Sequence, residues 1–180
     1  MKNVFLFFLE LLKTVILALA IVIPIRYFIF QPFIVKGNSM EPNFKTGNYL
    51  IIDEITYRFR NPKRGEIVVF KYPGNEAQKY IKRVIGLPGE TVEIFDGKIK
   101  ITNEKGSFYL DESSYLRQSQ TFGELKITLG EDEYFVLGDN RLSSYDSRMF
   151  GPVKRKEIIG RVILRLFPLN EIKLFLARNN

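Results

Sequence analysis

A mainly β fold is predicted for this chain, an antiparallel β-sheet or barrel-like domain behind one N-terminal transmembrane helix. Three features predict it: a long apolar run near the amino terminus, a series of short β-rich segments after it, and turn signals between most of those segments. From Val4 to Ile25 only Glu10, Lys13 and Thr14 interrupt the apolar residues, and Val15 to Ile25 is wholly apolar. At about 1.5 Å per residue that run makes roughly 33 Å, enough for a hydrocarbon layer of ~30 Å. Glu10 and Lys13 share one helix face, and Arg26 follows as an anchor able to snorkel. Ala18-Leu19-Ala20 has the small-x-small form of a secretory cleavage site. The segment nevertheless stays apolar through Ile21, Val22 and Ile23, and only Lys2 and the amino terminus charge its start, so a retained anchor is expected. Lys2 and Lys13 before the span balance Arg26 and Lys36 after it, and charge alone does not orient the chain. Residues 1–30 are therefore read as a short tip and anchor, and 31–180 as the β-rich domain.

The strands follow in order. Phe33 to Val35, Tyr49 to Ile52, Glu66 to Phe70, Tyr80 to Ile85, Thr91 to Phe95, Lys98 to Ile101, Leu125 to Leu129, Tyr134 to Leu137 and Ile158 to Leu166 are rich in β-branched and aromatic residues. Asp96-Gly97 joins two of them in the hairpin pattern whose central residues both want positive φ, and Pro88-Gly89 marks another turn. The polar stretch 104–123 is expected to be a long loop or an inserted hairpin. No internal repeat or low-complexity tract is present.

Composition narrows the chemistry. The chain has 27 Lys+Arg against 20 Asp+Glu, with no histidine and no cysteine. A Ser-His-Asp triad, a Cys-His dyad and a histidine base are all excluded. Zinc and non-haem iron sites lean on the same missing ligands, so only an oxygen-ligand ion such as magnesium or calcium stays chemically open. No cofactor is expected. The net charge of +7 is spread among acidic residues without a run of five like charges, which speaks for a basic surface near anionic lipid and against a nucleic-acid partner.

Without imidazole, a serine hydrolase would use a lysine amine as base. Ser39 lies in Gly37-Asn38-Ser39-Met40-Glu41-Pro42, where a turn serine capping a local N–H is the ordinary reading. Lys82 lies in Tyr80-Ile81-Lys82-Arg83-Val84-Ile85-Gly86-Leu87-Pro88-Gly89-Glu90, where a solvated strand lysine is the ordinary one. Two further stretches accompany them, Arg64-Gly65-Glu66-Ile67-Val68-Val69-Phe70 and Gly138-Asp139-Asn140-Arg141-Leu142-Ser143-Ser144-Tyr145-Asp146-Ser147-Arg148. With these four segments, in this order and after an N-terminal anchor, the chain resembles the bacterial type I signal peptidases from the anchor to about Pro168.

The resemblance implies Ser39 as nucleophile and Lys82 as general base. It implies that Ser144 hydrogen-bonds and orients the lysine amine, and that Asp146 and Arg148, on one face if extended, form a supporting ionic pair. Gly138, Asp139, Asn140 and Arg141 open the same segment. The Ser39 main-chain N–H would be one oxyanion donor. Gly37 stands where the Gram-negative members carry a serine whose hydroxyl helps hold the oxyanion, so no second donor is identified. Arg83 cannot replace Lys82, because a guanidinium stays protonated and a strand points it to the opposite face.

A free lysine has a pKa near 10.4, and burial has to lower it toward roughly 7–8 for base catalysis at neutral pH. Strand residues such as Ile67 to Phe70 and Val84-Ile85 suit that task. Asp146 is expected to stay off the amine, and a neutral partner such as Ser144 suits better. The implied activity is removal of signal peptides from exported preproteins after small-x-small sites. The implied setting is the cell membrane, with the catalytic domain on the extracytoplasmic side. Signal peptides, the lipid bilayer and the protein-export machinery are the implied partners. Two rivals carry different predictions: a self-cleaving Ser-Lys protease, disfavoured by the membrane segment, and a non-catalytic membrane-anchored β domain, disfavoured by the presence of both Ser39 and Lys82. The eukaryotic-type subunit, with histidine at the lysine position, is excluded by composition.

Overall fold

A computed structural model describes residues 2–28, 30–116 and 120–175. Helix α1, Lys2–Phe28, carries exposed apolar side chains from Val4 to Leu19. Side chains at 21 and 23–30 lie outside the described set, and the end of the predicted apolar run and its Arg26 flank fall there. Among the described residues no helix is long and apolar enough to cross a membrane.

The chain passes from α1 into strand β1, Phe30–Ile34, and then β2, Tyr49–Asp53. After a one-turn helix α2, Thr56–Phe59, come β3, Ile67–Tyr72, and the long β4, Asn75–Gly86. Strands β5, Thr91–Phe95, β6, Lys98–Asn103, β7, Gly106–Tyr109, and β8, Leu125–Thr128, follow. Then come β9, Glu133–Leu137, α3, Ser147–Phe150, β10, Val153–Lys154, β11, Ile158–Phe167, and β12, Lys173–Leu174. Among the described residues every pairing is antiparallel, as the fold class predicts. The main sheet runs β1-β2-β11-β3-β4-β9-β10 with β12 beside β11, and the second runs β7-β6-β5-β8. Among the described residues no pairing joins β1 to β10, so the architecture is two open sheets rather than a closed barrel.

Residues Ile67 to Phe70 of β3 are buried on both faces, which explains their unbroken apolar run before the exposed Lys71. Ile67 and Val69 pack with Met40, Phe44, Leu50 and Ile81 in one core. Val68 and Phe70 pack with Val84, Tyr134 and Val136 in another. A third core, including Ile85, Val92, Ile94 and Phe135, joins the two sheets. Asp96 at φ 49° and Gly97 at φ 72° form the predicted β5–β6 turn. Within the polar stretch 104–123, β7 pairs back onto β6, and the described residues 110–116 and 120–124 form a strap leading to β8.

Candidate active site

Three chain segments converge on the site: the loop after β1, the middle of β4 and the loop after β9. Val35 holds the first by pairing with the 47–48 turn, its N–H donating to the Asn48 carbonyl at 3.0 Å. Gly37 turns the chain at φ +88°, a conformation that strains any L side chain. A serine hydroxyl at this position is therefore disfavoured by the backbone itself. Met40 and Phe44, both buried, then plug the loop into the core and leave Ser39 half-buried between them and the turn.

Lys82 pairs in register with Val68 on β3 and is only 4% exposed. Its Nζ lies 2.7 Å from Ser39 Oγ and donates to the Ile81 carbonyl at 3.0 Å, with the Tyr80 ring centroid at 5.5 Å. Burial lowers the amine's pKa to about 8, against the opposing pull of the Asp146 and Asp139 carboxylates. No hydrogen bond joins either carboxylate to the amine.

The loop after β9 gathers the remaining predicted residues. Asn140 N–H donates to the Ser39 carbonyl at 3.0 Å, and its amide donates to the Asn38 carbonyl at 3.2 Å. Gly138 leaves no room for a side chain: a Cβ there would fall 2.1 Å from Ser144 Oγ and 2.4 Å from the Ser39 carbonyl oxygen. Ser144 Oγ is buried here without a hydrogen-bond partner, so the contact with the lysine amine implied by the resemblance is absent from this structure. Asp146 and Arg148 do pair, Nε to Oδ1 at 2.8 Å and Nη2 to Oδ2 at 2.9 Å. They do so around a helix start rather than along a strand: Asp146 caps α3 and Arg148 lies inside it. Asp146 Oδ2 also accepts from the Gly138 N–H at 3.1 Å, which ties the pair to the floor of the site.

Asp139 receives Arg83 in a two-pronged contact at 2.8 and 2.6 Å, and Asn43 donates to it at 2.8 Å. Arg83 thus lies on the opposite strand face from Lys82, as alternation requires. Arg141 is buried against Glu112 at 2.5 and 2.7 Å, and donates to the Gly138 carbonyl at 3.0 Å and to Thr121. Asn43 and Glu112 carried no local signal in the sequence that linked them to the site, because their partners lie far along the chain. Among the described residues no group of three or more carboxylates is arranged to hold a metal ion.

The family described as signal peptidase, peptidase S26, matches residues 8–167. A probable signal peptidase I-2 of Synechocystis is 37% identical over 171 residues, spanning 92% of this chain and 76% of the relative. Signal peptidase I T of Bacillus subtilis is 36% identical over 174 residues, spanning 92% and 89%. A solved signal peptidase I of Enterococcus faecalis aligns at 35% identity over 57% of this chain and 97% of its own, with a TM-score of 0.47. Because the family match runs through nearly all of the chain and the relatives align over most of their own lengths, this chain belongs to the signal peptidase family, peptidase S26, and is a serine endopeptidase.

Proposed function

We propose that the chain is a membrane-bound endopeptidase that removes N-terminal signal peptides from exported preproteins after small-x-small sites, with Ser39 as nucleophile and Lys82 as general base. The observation that carries this reading is the 2.7 Å approach of the buried Lys82 Nζ to Ser39 Oγ. In the acylation step the neutral amine takes the hydroxyl proton as Oγ adds to the peptide carbonyl. The resulting ammonium returns that proton to the departing amine, which leaves as the new amino terminus. Water, deprotonated by the same amine, then releases the signal peptide from Ser39.

The Ser39 N–H serves as oxyanion donor, since no internal hydrogen bond engages it among the described residues. Ser144 flanks Gly138 within the site, and Asp146 with Arg148, Asp139 with Arg83, and Asn140 and Arg141 hold the loop that Ser39 leans on. Strand β4 supports binding of an extended substrate: among the described residues its 75–82 stretch pairs with β3 alone, while β9 joins only from Arg83. That leaves an open edge beside Lys82, where a peptide can add as a strand. In this reading α1, within residues 1–30, is the membrane anchor with a cytoplasmic tip. Residues 31–180 form the extracytoplasmic catalytic domain, which meets preproteins from the export machinery at the bilayer.

The test is cleavage of a preprotein carrying an Ala-x-Ala site by the full chain and by Ser39→Ala and Lys82→Ala. Loss of the base is expected to slow cleavage by about 10²–10⁴-fold, and loss of the nucleophile by at least as much. Wild-type turnover in either folded variant sinks the assignment.

A further inference from the structure

The strap between β7 and β8 reaches every guanidinium of the site. Glu112, 2% exposed, grips Arg141. The Phe122 carbonyl accepts from Arg148 at 3.4 Å. Tyr115 lies against Arg83, with Cζ 3.9 Å from the ring centroid. Tyr115 is itself fixed at two points: its hydroxyl donates to Glu112, and its carbonyl accepts from Asn43 Nδ2 at 2.8 Å. The same Asn43 amide donates to Asp139.

The planar guanidinium of Arg83 uses its edge for Asp139 and for the Gly65 carbonyl at 2.9 Å, so its face is free for an aromatic ring. A ring in that place attracts the cation, excludes water and keeps the ion pair closed. We propose that Tyr115 is a positioning residue for hydrolysis: its ring holds Arg83 on Asp139, and the carboxylate so neutralised leaves the Lys82 amine free to act as base. The charged groups that bear on that amine are Asp146, which caps α3, and Asp139 from the loop after β9, each with its own guanidinium, Arg148 and Arg83. Tyr80, from β4 itself, adds a neutral ring. If Arg83 loosens, Asp139 acts on Lys82 with less compensation and favours the ammonium.

The inference rests on Lys82 as base, and the experiment separates the two. The pH dependence of kcat/KM is measured for the full chain, Tyr115→Leu and Tyr115→Phe on the same Ala-x-Ala substrate. Tyr115→Leu is expected to move the acidic limb up by about one pH unit, a roughly tenfold loss at neutral pH that disappears on the alkaline plateau. Tyr115→Phe, which keeps the ring, is expected to leave the limb in place. An equal loss from Tyr115→Leu at every pH, an unmoved limb, or a limb moved by Tyr115→Phe overturns the proposal. A wild-type profile with no acidic limb overturns the base assignment and this inference together; a wild-type limb that Tyr115→Leu leaves unmoved overturns this inference alone.

Discussion

A lysine held between Ser39 and the Ile81 carbonyl gives up most of the water that would solvate its ammonium. Burial lowers its pKa from 10.5 to about 8, and the carboxylates of Asp146 and Asp139 recover only part of that fall. The unfolded chain binds this proton more tightly than the folded one, so the group's contribution to stability is least favourable below about 8 and rises as pH climbs to about 10.5. The shift corresponds to roughly 3 kcal/mol of strain in the charged form. Lys82→Met, similar in length and uncharged, is therefore expected to stabilise the fold by up to about 3 kcal/mol at neutral pH, with the gain gone above pH 10.5. Urea unfolding at the two pH values checks this, and a gain independent of pH contradicts the burial argument. The requirement for a depressed lysine was legible in the sequence once the resemblance singled out Lys82 in a chain without histidine. The sequence already sets Asp146 off the amine; that Asp139 also bears on it was not legible, because the fold alone brings it there.

One glycine sets how closely the loop between β9 and α3 approaches Ser39. A Cβ on Gly138 would meet the Ser144 hydroxyl and, less yieldingly, the backbone oxygen of Ser39. Gly138→Ala must then push the Ser39 loop away from the end of β9, and on the proposal that Ser39 is the nucleophile a displacement of about 1 Å can lower turnover roughly a hundredfold. The expected result is a fall in kcat with the thermal unfolding transition retained; unchanged kcat in a folded variant removes Gly138 from the site's geometry. Sequence reading found this segment through its resemblance and misplaced its local structure. Asp146 and Arg148 look like same-face strand neighbours by spacing, whereas the cap of α3 brings them together. The nine expected strands all form. The three that went unread lack a signal: β10 and β12 are two residues each, and β7 is exposed along its length and set in a polar stretch. Glu112 was invisible for a related reason, since its buried ion pair bridges 29 positions.

Helix α1 ends at Phe28 and β1 begins at Phe30, so the first strand of the main sheet starts where the helix stops. Chain geometry then limits how far Ser39 can lie from the end of α1: at about 3.5 Å per extended residue it stays within roughly 40 Å. On the proposal that α1 sits in the bilayer, this short tether keeps the nucleophile at a high local concentration around cleavage sites emerging from the same membrane. A rigid helical spacer inserted between α1 and β1 lengthens the tether while leaving both sheets and the site intact. In proteoliposomes the spacer variant is expected to lose about tenfold in cleavage of a membrane-inserted preprotein while retaining its rate on a soluble Ala-x-Ala peptide. Loss of both activities in parallel points to a disturbed domain, and retention of both removes the tether from the mechanism. Protease accessibility of the β domain in intact cells supplies the orientation: only a domain on the extracytoplasmic face meets the substrate whose cleavage the spacer slows.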